Sequence, residues 1–291
     1  MKCFDECIPC LYRQVDSIFR LINSTDKEKE CLKTEVDYLI ENSDKNLSPP
    51  EIVGKIYSLI KSKIGDIDFY REIKDKSNAA ALSVYDTLKN KVRDSEDTLL
   101  AAVVMSISGN IIDFGAKYYV DIDAEINKIL NRKYSLELIE SKCFHYIQFK
   151  ELVSSAKQIV YLADNAGETV FDRILIEEIK KLYPHIIIIY AVKEKPIIND
   201  ATRIDAVNSG IEQSAEIVSS GSVIPGTIIE LCNSQFIDEY NKADLIISKG
   251  QGNFESLEDA SKKIIYLFIA KCPKIASISG NFIGSMNILI H

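Results

Sequence analysis

The feature that most constrains the fold of this chain is a change in its hydrophobic pattern near residue 155. After that point, short apolar runs rich in β-branched residues alternate with segments of helical periodicity. This alternation is typical of βαβ units and a parallel sheet, whose strands are apolar throughout because both faces are covered. The runs span residues 159–162, 186–192, 216–218, 245–247 and 264–269. We therefore predict an α/β fold.

The first half of the chain is predicted to be helical. Ser48 is placed as an N-cap before two helix-opening prolines, and apolar residues then recur at helical spacing over 52–60. A second periodic pattern covers 69–93, and residues 99–107 are apolar nearly all round, as in a buried central helix. No strand is predicted before about residue 155. The predicted domains are a helical domain at 1–150 and an α/β domain at 151–291.

Composition and charge exclude several classes of protein. The formal net charge of −8 argues against the basic face that nucleic-acid binding requires. The longest apolar run, 186–192, is far shorter than the roughly 20 residues of a membrane span. The N-terminus lacks an apolar secretory core, and the odd number of cysteines, seven, indicates reduced thiols. We expect a cytoplasmic protein that binds neither nucleic acid nor membranes.

An Asp-Asn pair, Asp164 and Asn165, directly follows the first predicted strand and precedes a helix. Ligands of open α/β sheets bind at the carboxyl ends of strands. Asp and Asn supply hard oxygen ligands that suit Mg²⁺ or Mn²⁺. A turn that caps the following helix explains the same pair equally well.

A second acidic residue, Asp200, lies just past the next predicted strand and before another helix. Asp164 and Asp200 are therefore predicted at the ends of two neighbouring strands. Two carboxylates and the Asn165 amide make a candidate site for a divalent cation. Helix capping accounts for one such Asp, whereas two on successive strand ends shift the balance modestly toward a metal.

A glycine-rich turn follows the predicted strand 245–247 and opens a helix; it contains Lys249, Gly250, Gly252 and Asn253. Glycines allow a backbone to approach a ligand closely, and a helix N-terminus offers N–H groups to an anion. A neighbouring lysine adds a positive charge for phosphate. A plain tight turn has the same sequence, so both interpretations stand.

Two further polar pairs carry possible chemistry. Asn110 and Asp113 lie at the end of the apolar helix 99–107, where they either cap structure or face a site. Cys7 and Cys10 form a Cys-x-x-Cys pair that suits zinc, redox cycling or simple packing. A structural zinc usually needs four ligands, and the sequence holds no second such pair.

Together these motifs resemble the damage-control phosphatase family, also called DUF89 or ARMT1-like, in its archaeal and bacterial Cys-x-x-Cys subfamily. The resemblance covers nearly the whole chain, through short pieces whose order and spacing are specific. The pieces are residues 7–11 with Gln14, then 109–113, 164–168, 199–202, 249–253 and 271–272. Two departures are Ile204, where the family often has an acidic residue, and an unfamiliar tail after residue 281.

The resemblance implies a three-layer α/β/α Rossmann-like domain, with a mostly parallel sheet, behind a helical N-terminal region. It implies hydrolysis of small phosphate monoesters, such as sugar phosphates, with Mg²⁺, Mn²⁺, Co²⁺ or Ni²⁺, in metabolite damage control. By family match, Asp164, Asn165 and Asp200 are the metal ligands, and Lys249 lies near the substrate phosphate.

We therefore expect a small phosphorylated metabolite as the partner, with Asp164 and Lys249 as catalytic residues and water favoured over the Asp164 carboxylate as the attacking group. Asn110 and Asp113 are expected on the substrate side, and Gly250, Gly252 and Asn253 around the phosphate. Two alternatives stay open. One is an S-adenosylmethionine-dependent carboxyl methyltransferase, an activity ascribed to a relative. The other is a non-enzymatic metal- or thiol-binding protein built around Cys7 and Cys10.

Overall fold

The structure is a computed structural model that describes residues 1–110, 142–257 and 262–291. Asp113, predicted on the substrate side, lies outside the described residues. Helices make up the described chain before residue 110: α1 Ile8–Leu21, α2 Asp26–Glu41, α3 Pro49–Ile64, α4 Arg71–Ser83, α5 Tyr85–Arg93 and α6 Thr98–Gly109, with a 3₁₀ turn at Asp5–Cys7.

The local sequence explains where several of these helices begin and break. Ser48 and Glu51 form the capping box of α3, which confirms the predicted N-cap. The periodic pattern over 69–93 is two helices rather than one, because Val84 leaves helical geometry at φ −111° and ψ 1°. Helix α6 is buried at every position from Leu99 to Gly109, as its uniformly apolar sequence predicts.

The second half alternates strands and helices as predicted. The strands are β1 Gln158–Leu162, β2 Ile187–Val192, β3 Glu216–Ser219, β4 Leu245–Lys249, β5 Ile264–Ile269 and β6 Met286–Ile290. The helices are α7 Tyr146–Ser155, α8 Glu168–Leu182, α9 Arg203–Asn208, α10 Ser234–Lys242, α11 Gly250–Leu257 and α12 Pro273–Ser279. Short 3₁₀ turns lie at Ile211–Gln213 and Ile229–Leu231.

The strands form one six-stranded sheet in the order β3-β2-β1-β4-β5-β6. All neighbouring pairs are parallel except β5 and β6, which are antiparallel. The predicted α/β class with a mostly parallel sheet and a helical N-terminal region is confirmed. The chain order reverses at β1, which pairs with β2 on one side and β4 on the other. This switch point is where ligands of open α/β sheets bind.

Helices cover both faces of the sheet, so alternate strand residues enter different cores. In β1, Ile159 and Tyr161 join the core under α5, α6, α7 and α8, whereas Val160 and Leu162 join the core under α10, α11 and α12. Helices α1 to α3 supply most of a third cluster, which also includes Tyr70 and Ile197. Helix α6 thus shares a core with the sheet, and the domain boundary at residue 150 stays a prediction.

Two further observations concern membrane spans and cysteines. No helix in the described ranges is both long enough and apolar enough to cross a bilayer. No disulfide joins any of the seven cysteines, all of which lie in the described ranges.

Candidate active site

The turns after β1 and β2 are hydrogen bonded to each other, as their predicted positions on neighbouring strands imply. The backbone N–H of Ala201 donates to the Asp164 carbonyl at 2.8 Å, and that of Ala166 donates to the Asn199 carbonyl at 2.9 Å. Asn165 and Asp200 face each other across this antiparallel bridge. The two turns therefore behave as one unit at the carboxyl edge of the sheet.

The carboxylate of Asp164 is fixed by two amide side chains. Its Oδ2 accepts hydrogen bonds from Nδ2 of Asn110 at 2.7 Å and from Nδ2 of Asn165 at 2.9 Å. The same two nitrogens donate to Oε1 of Glu168, at 2.6 and 2.7 Å. Asn110, predicted on the substrate side, thus lies beside Asp164, and two amides bridge a pair of acidic side chains.

Glu168 opens helix α8 and is fully buried. Burial raises its pKa to about 8, opposed by the positive charge of Lys249, because a charged carboxylate is poorly solvated there. Glu168 was not predicted as a site residue from the sequence. Its helical spacing from Asp172, at i and i+4, was the available signal that both acids share one face.

Lys249 ends β4 and is fully buried. Its ammonium lies 2.6 Å from Oδ1 of Asp172 and 3.3 Å from Oε2 of Glu168, and it donates to the carbonyl of Ser106 at 3.0 Å. Burial alone would lower the lysine pKa, but Asp172 and Glu168 raise it above its ordinary value. All three N–H groups of the ammonium are therefore directed at protein oxygens.

Asp172 is a second acceptor hub beneath the site. Its carboxylate also accepts hydrogen bonds from the hydroxyls of Tyr161 and Tyr190, each at 2.8 Å, and from Ser106 at 2.9 Å. The two tyrosine rings stack with centroids 5.4 Å apart. This network anchors Lys249 in a position that depends on β1, β2, β4 and α6 together.

Gly250 is a position that only glycine fits. Its φ is +80°, and a β-carbon there would overlap the carboxylate of Asp164. The backbone after β4 thus packs directly against the acidic side chain after β1, across the switch point. Gly252, two residues further on, has room for a side chain. A β-carbon built there would lie 3.7 Å from its nearest neighbour, the Gly226 nitrogen.

Asn253 links three segments of the site. Its Nδ2 donates to the carbonyl of Ala163 at 3.0 Å and to that of Lys249 at 2.8 Å, while Oδ1 accepts from Thr227 at 2.8 Å. The Asn253 side chain therefore connects the ends of β1 and β4 to the loop that contains Thr227. Its predicted contact with substrate stays a prediction.

Lys193, which directly follows β2, is a buried lysine beside the site that was not predicted from the sequence. The side chain is 4% exposed; its ammonium donates to the Gly226 carbonyl and lies 3.7 Å from Oδ2 of Asp200. Burial lowers the pKa of Lys193, and the charges of Asp200 and Asp164 oppose that shift. Its position one residue after a strand end, like that of Lys249 at the end of β4, was the signal in the sequence.

The side-chain oxygens at this edge of the sheet can hold a hard divalent cation only if an amide oxygen joins the carboxylates as a ligand. In the described parts of the chain, no three His, Cys, Asp or Glu side chains are gathered so as to hold a metal. Asp164 and Asp200 supply carboxylates, and Asn165 directs Nδ2 at Asp164 and Glu168, which leaves its carbonyl oxygen for a cation. The Oδ1 atom of Asn110 is buried and accepts no hydrogen bond from the described residues. Such an oxygen-rich edge suits Mg²⁺ or Mn²⁺.

The Cys-x-x-Cys pair lies near α11, because the charge of Glu255 acts on both thiols. Cys7 and Cys10 are half-buried free thiols at the start of α1, and burial raises the pKa of both. A raised thiol pKa lowers the fraction of reactive thiolate. The proposed second metal or thiol site stays a prediction.

Glu255 in α11 gives a pH-dependent prediction near this pair. Burial raises its pKa to about 7 from 4.5, opposed by a hydrogen bond from Gln251. The folded state thus binds a proton that the unfolded state releases, so this stability is present below pH 4.5 and is lost as pH rises through about 7. Relative to Glu255→Gln, the wild type should lose up to about 3 kcal/mol between pH 5 and 8.

Denaturant unfolding at several pH values measures this difference. Glu72→Gln is the control, because Glu72 is exposed and pairs with Lys76 at the surface. Parallel pH profiles for the wild type and Glu255→Gln would show that Glu255 is ionised in the folded state and that the expectation is wrong.

The fold and the site define a Rossmann-like α/β protein with an oxygen-rich polar cluster at its switch point. A family model described as the damage-control phosphatase ARMT1-like domain matches residues 3–286. The chain belongs to this family, which confirms the family that its motifs resemble. The assignment to the Cys-x-x-Cys subfamily stays a prediction.

Three relatives match this chain along nearly their full lengths. A damage-control phosphatase of Pyrococcus horikoshii is 35% identical over 280 residues, covering 95% of this chain and 93% of that protein. One of Archaeoglobus fulgidus is 32% identical and covers 98% of each. An uncharacterised protein of Methanocaldococcus jannaschii is 34% identical, covering 100% of this chain and 95% of its own.

A solved structure extends the similarity to three dimensions. The crystal structure of a DUF89 family protein from Pyrococcus horikoshii, at 2.04 Å resolution, superposes with a TM-score of 0.86. The sequences are 31% identical, and the match covers 99% of both chains. The shared fold therefore includes the helical N-terminal region as well as the sheet.

Proposed function

We propose that this chain is a phosphatase that hydrolyses small phosphate monoesters with a divalent cation held by Asp164, Asn165 and Asp200. The observation that carries the proposal is the bridge between the turns after β1 and β2, which brings both carboxylates and the amide to one edge of the sheet. The names of the Pyrococcus and Archaeoglobus relatives support the phosphatase activity.

The cation, when bound, offsets the negative charge that develops on the phosphoryl oxygens. The protein's own contribution is to orient the ligands. The amides of Asn110 and Asn165 hold the Asp164 carboxylate through Oδ2, and Glu168 holds both amides from behind. We favour water as the attacking group, because the Asp164 carboxylate is committed to this array.

The phosphate is proposed to bind where β4 runs into α11. Backbone N–H groups at residues 250–253 begin a helix, and their partial positive charge attracts an anion. Lys249 contributes positive charge beneath this turn, and a phosphate oxygen contacts it directly only in exchange for one of its protein acceptors. Lys193, beside Asp200, adds a second positive charge.

The substrates are proposed to be sugar phosphates or related metabolites, and the role metabolite damage control. The family description supports the damage-control role, and the site's polar side chains, such as Lys249 and Glu168, are buried. Mg²⁺, Mn²⁺, Co²⁺ and Ni²⁺ are all proposed as cations, because oxygen ligands admit each of them.

A phosphatase assay of the wild type and Asp164→Ala, with each metal in turn, tests the proposal. We expect metal-dependent hydrolysis of p-nitrophenyl phosphate and sugar phosphates by the wild type. Since loss of a residue that merely supports a ligand costs ten- to a hundredfold, loss of a ligand should lower kcat/KM by at least about a hundredfold.

Asp94→Ala is the matched control, because Asp94 is an exposed Asp that pairs with Arg93 at the surface. It should hydrolyse the same esters at the wild-type rate. Unchanged turnover in Asp164→Ala would contradict the site. Binding of S-adenosylmethionine without binding of Mn²⁺ would favour a methyltransferase instead.

A further inference from the structure

A buried asparagine in the N-terminal helical region, Asn78 of α4, contacts the Asp-Asn turn from outside the sheet. Its Oδ1 accepts a hydrogen bond from the backbone N–H of Gly167 at 2.6 Å. Gly167 has a φ of +81°, and a β-carbon there would lie 3.0 Å from that of Ser77. Helix α4 therefore packs directly onto the turn that carries Asp164, three residues earlier.

The other end of the same amide points at the second turn. Nδ2 of Asn78 donates to Oδ1 of Asp205 at 2.9 Å. Oδ2 of Asp205 in turn accepts from the backbone N–H of Thr202 at 2.8 Å and from its hydroxyl at 2.6 Å. Thr202 is two residues beyond Asp200, so one chain of hydrogen bonds joins both turns.

Charge and burial make this chain of contacts specific. Asn78 is 4% exposed and Asp205 is fully buried. The ammonium of Lys74, also from α4, lies 2.9 Å from Oδ2 of Asp205 and balances its charge. A buried donor or acceptor that loses its hydrogen-bond partner costs free energy, so each residue in this hydrogen-bonded series restricts the position of the next.

We propose that Asn78 and Asp205 are positioning residues that hold the two turns in the register at which Asp164 and Asp200 share one cation. This inference rests on the proposed function. Metal ligands must be held to within about 0.5 Å of their productive positions. Residues that orient ligands from behind typically affect metal affinity about ten- to a hundredfold.

The chemistry of the pair provides an exchange test. In Asn78→Asp, two carboxylates face each other without a donor; in Asp205→Asn, an amide donor faces the Asn78 donor. In the double variant, the new amide at position 205 would donate to the new carboxylate at position 78 and accept from Thr202 and Lys74. The carboxylate at position 78 would still accept from Gly167. The exchange thus restores every donor and acceptor and conserves the net charge.

Calorimetric titration of metal-free protein with Mn²⁺ alone measures the effect without any assay of turnover. Each single variant should bind Mn²⁺ about ten- to a hundredfold more weakly than the wild type, and the double variant should return to within a few-fold of it. Single variants that bind like the wild type, or a double variant whose loss is the sum of the single losses, would overturn the inference.

Ser48→Ala separates this effect from general destabilisation. Ser48 is buried and caps α3 without contacting either turn, so its loss should lower the melting temperature and leave Mn²⁺ affinity unchanged. A wild type that binds no Mn²⁺ overturns both the proposed function and this inference. A wild type that binds, with equally tight single variants, overturns the positioning role alone.

Discussion

Replacing Lys249 by methionine is expected to destabilise the folded chain by about 3–5 kcal/mol. The substitution removes the ammonium that lies 2.6 Å from Asp172 and 3.3 Å from Glu168, and all three side chains are fully buried. The buried Asp172 carboxyl group would then lack its ion-pair partner, and breaking a buried ion pair from one side is strongly destabilising. Urea unfolding of the metal-free protein measures the loss.

Lys181→Met is the control for this prediction. The Lys181 ammonium pairs with Glu178 at 3.0 Å, but its side chain is 60% exposed, so its loss should cost less than about 1 kcal/mol. A Lys249→Met variant as stable as Lys181→Met would contradict this expectation. The ion pairs of Lys249 would then contribute little to the fold.

The substitution Gly250→Ala is expected to disable the site and to destabilise the chain. The alanine would adopt a φ near +80° and overlap the Asp164 carboxylate. A left-handed conformation costs roughly 1–2 kcal/mol and overpacking a further 1–3 kcal/mol, so we expect a loss of about 2–5 kcal/mol. Displacement of Asp164 should also abolish Mn²⁺ binding in the same titration.

Gly252→Ala is the matched control in the same helix. A β-carbon at Gly252 meets the Gly226 nitrogen at 3.7 Å, which is ordinary contact, so folding stability should stay the same or rise by about 0.4–1 kcal/mol. Equal stability of the two alanine variants, with Mn²⁺ binding retained in Gly250→Ala, would show that the Asp164 carboxylate moves freely. The close approach across the switch point would then be unimportant.

The sequence predicts most of the sheet because strands that are buried on both faces are apolar throughout, and such short runs stand out between helical segments. The five runs predicted as strands correspond to β1 to β5, with no end shifted by more than two residues. Strand β6 was not predicted, because its antiparallel pairing with β5 is set by tertiary contact rather than by a βαβ repeat. The break at Val84 was missed because apolar residues continue on both sides of it.

Some features of the site were likewise predictable from the sequence, and others depend on tertiary contacts. Asp164 and Asp200 were predicted to be neighbours because consecutive parallel strands usually pair, and the bridge between Asn165 and Asp200 confirms it. Asn78 was missed because its partner Asp205 is 127 residues away in the chain, and no local pattern records such a contact. Lys249 was predicted from its turn, whereas its ion pairs with Glu168 and Asp172 depend on how α8 packs on the sheet.

The most direct test of the central claim is a crystal structure of the protein soaked with Mn²⁺ and phosphate, with manganese located by anomalous scattering. The account predicts one strong peak within about 2.0–2.6 Å of oxygens from Asp164, Asn165 and Asp200, with phosphate between it and residues 250–253. A peak elsewhere, such as at Cys7 and Cys10, or no peak with both carboxylates still bonded only to protein, would contradict it.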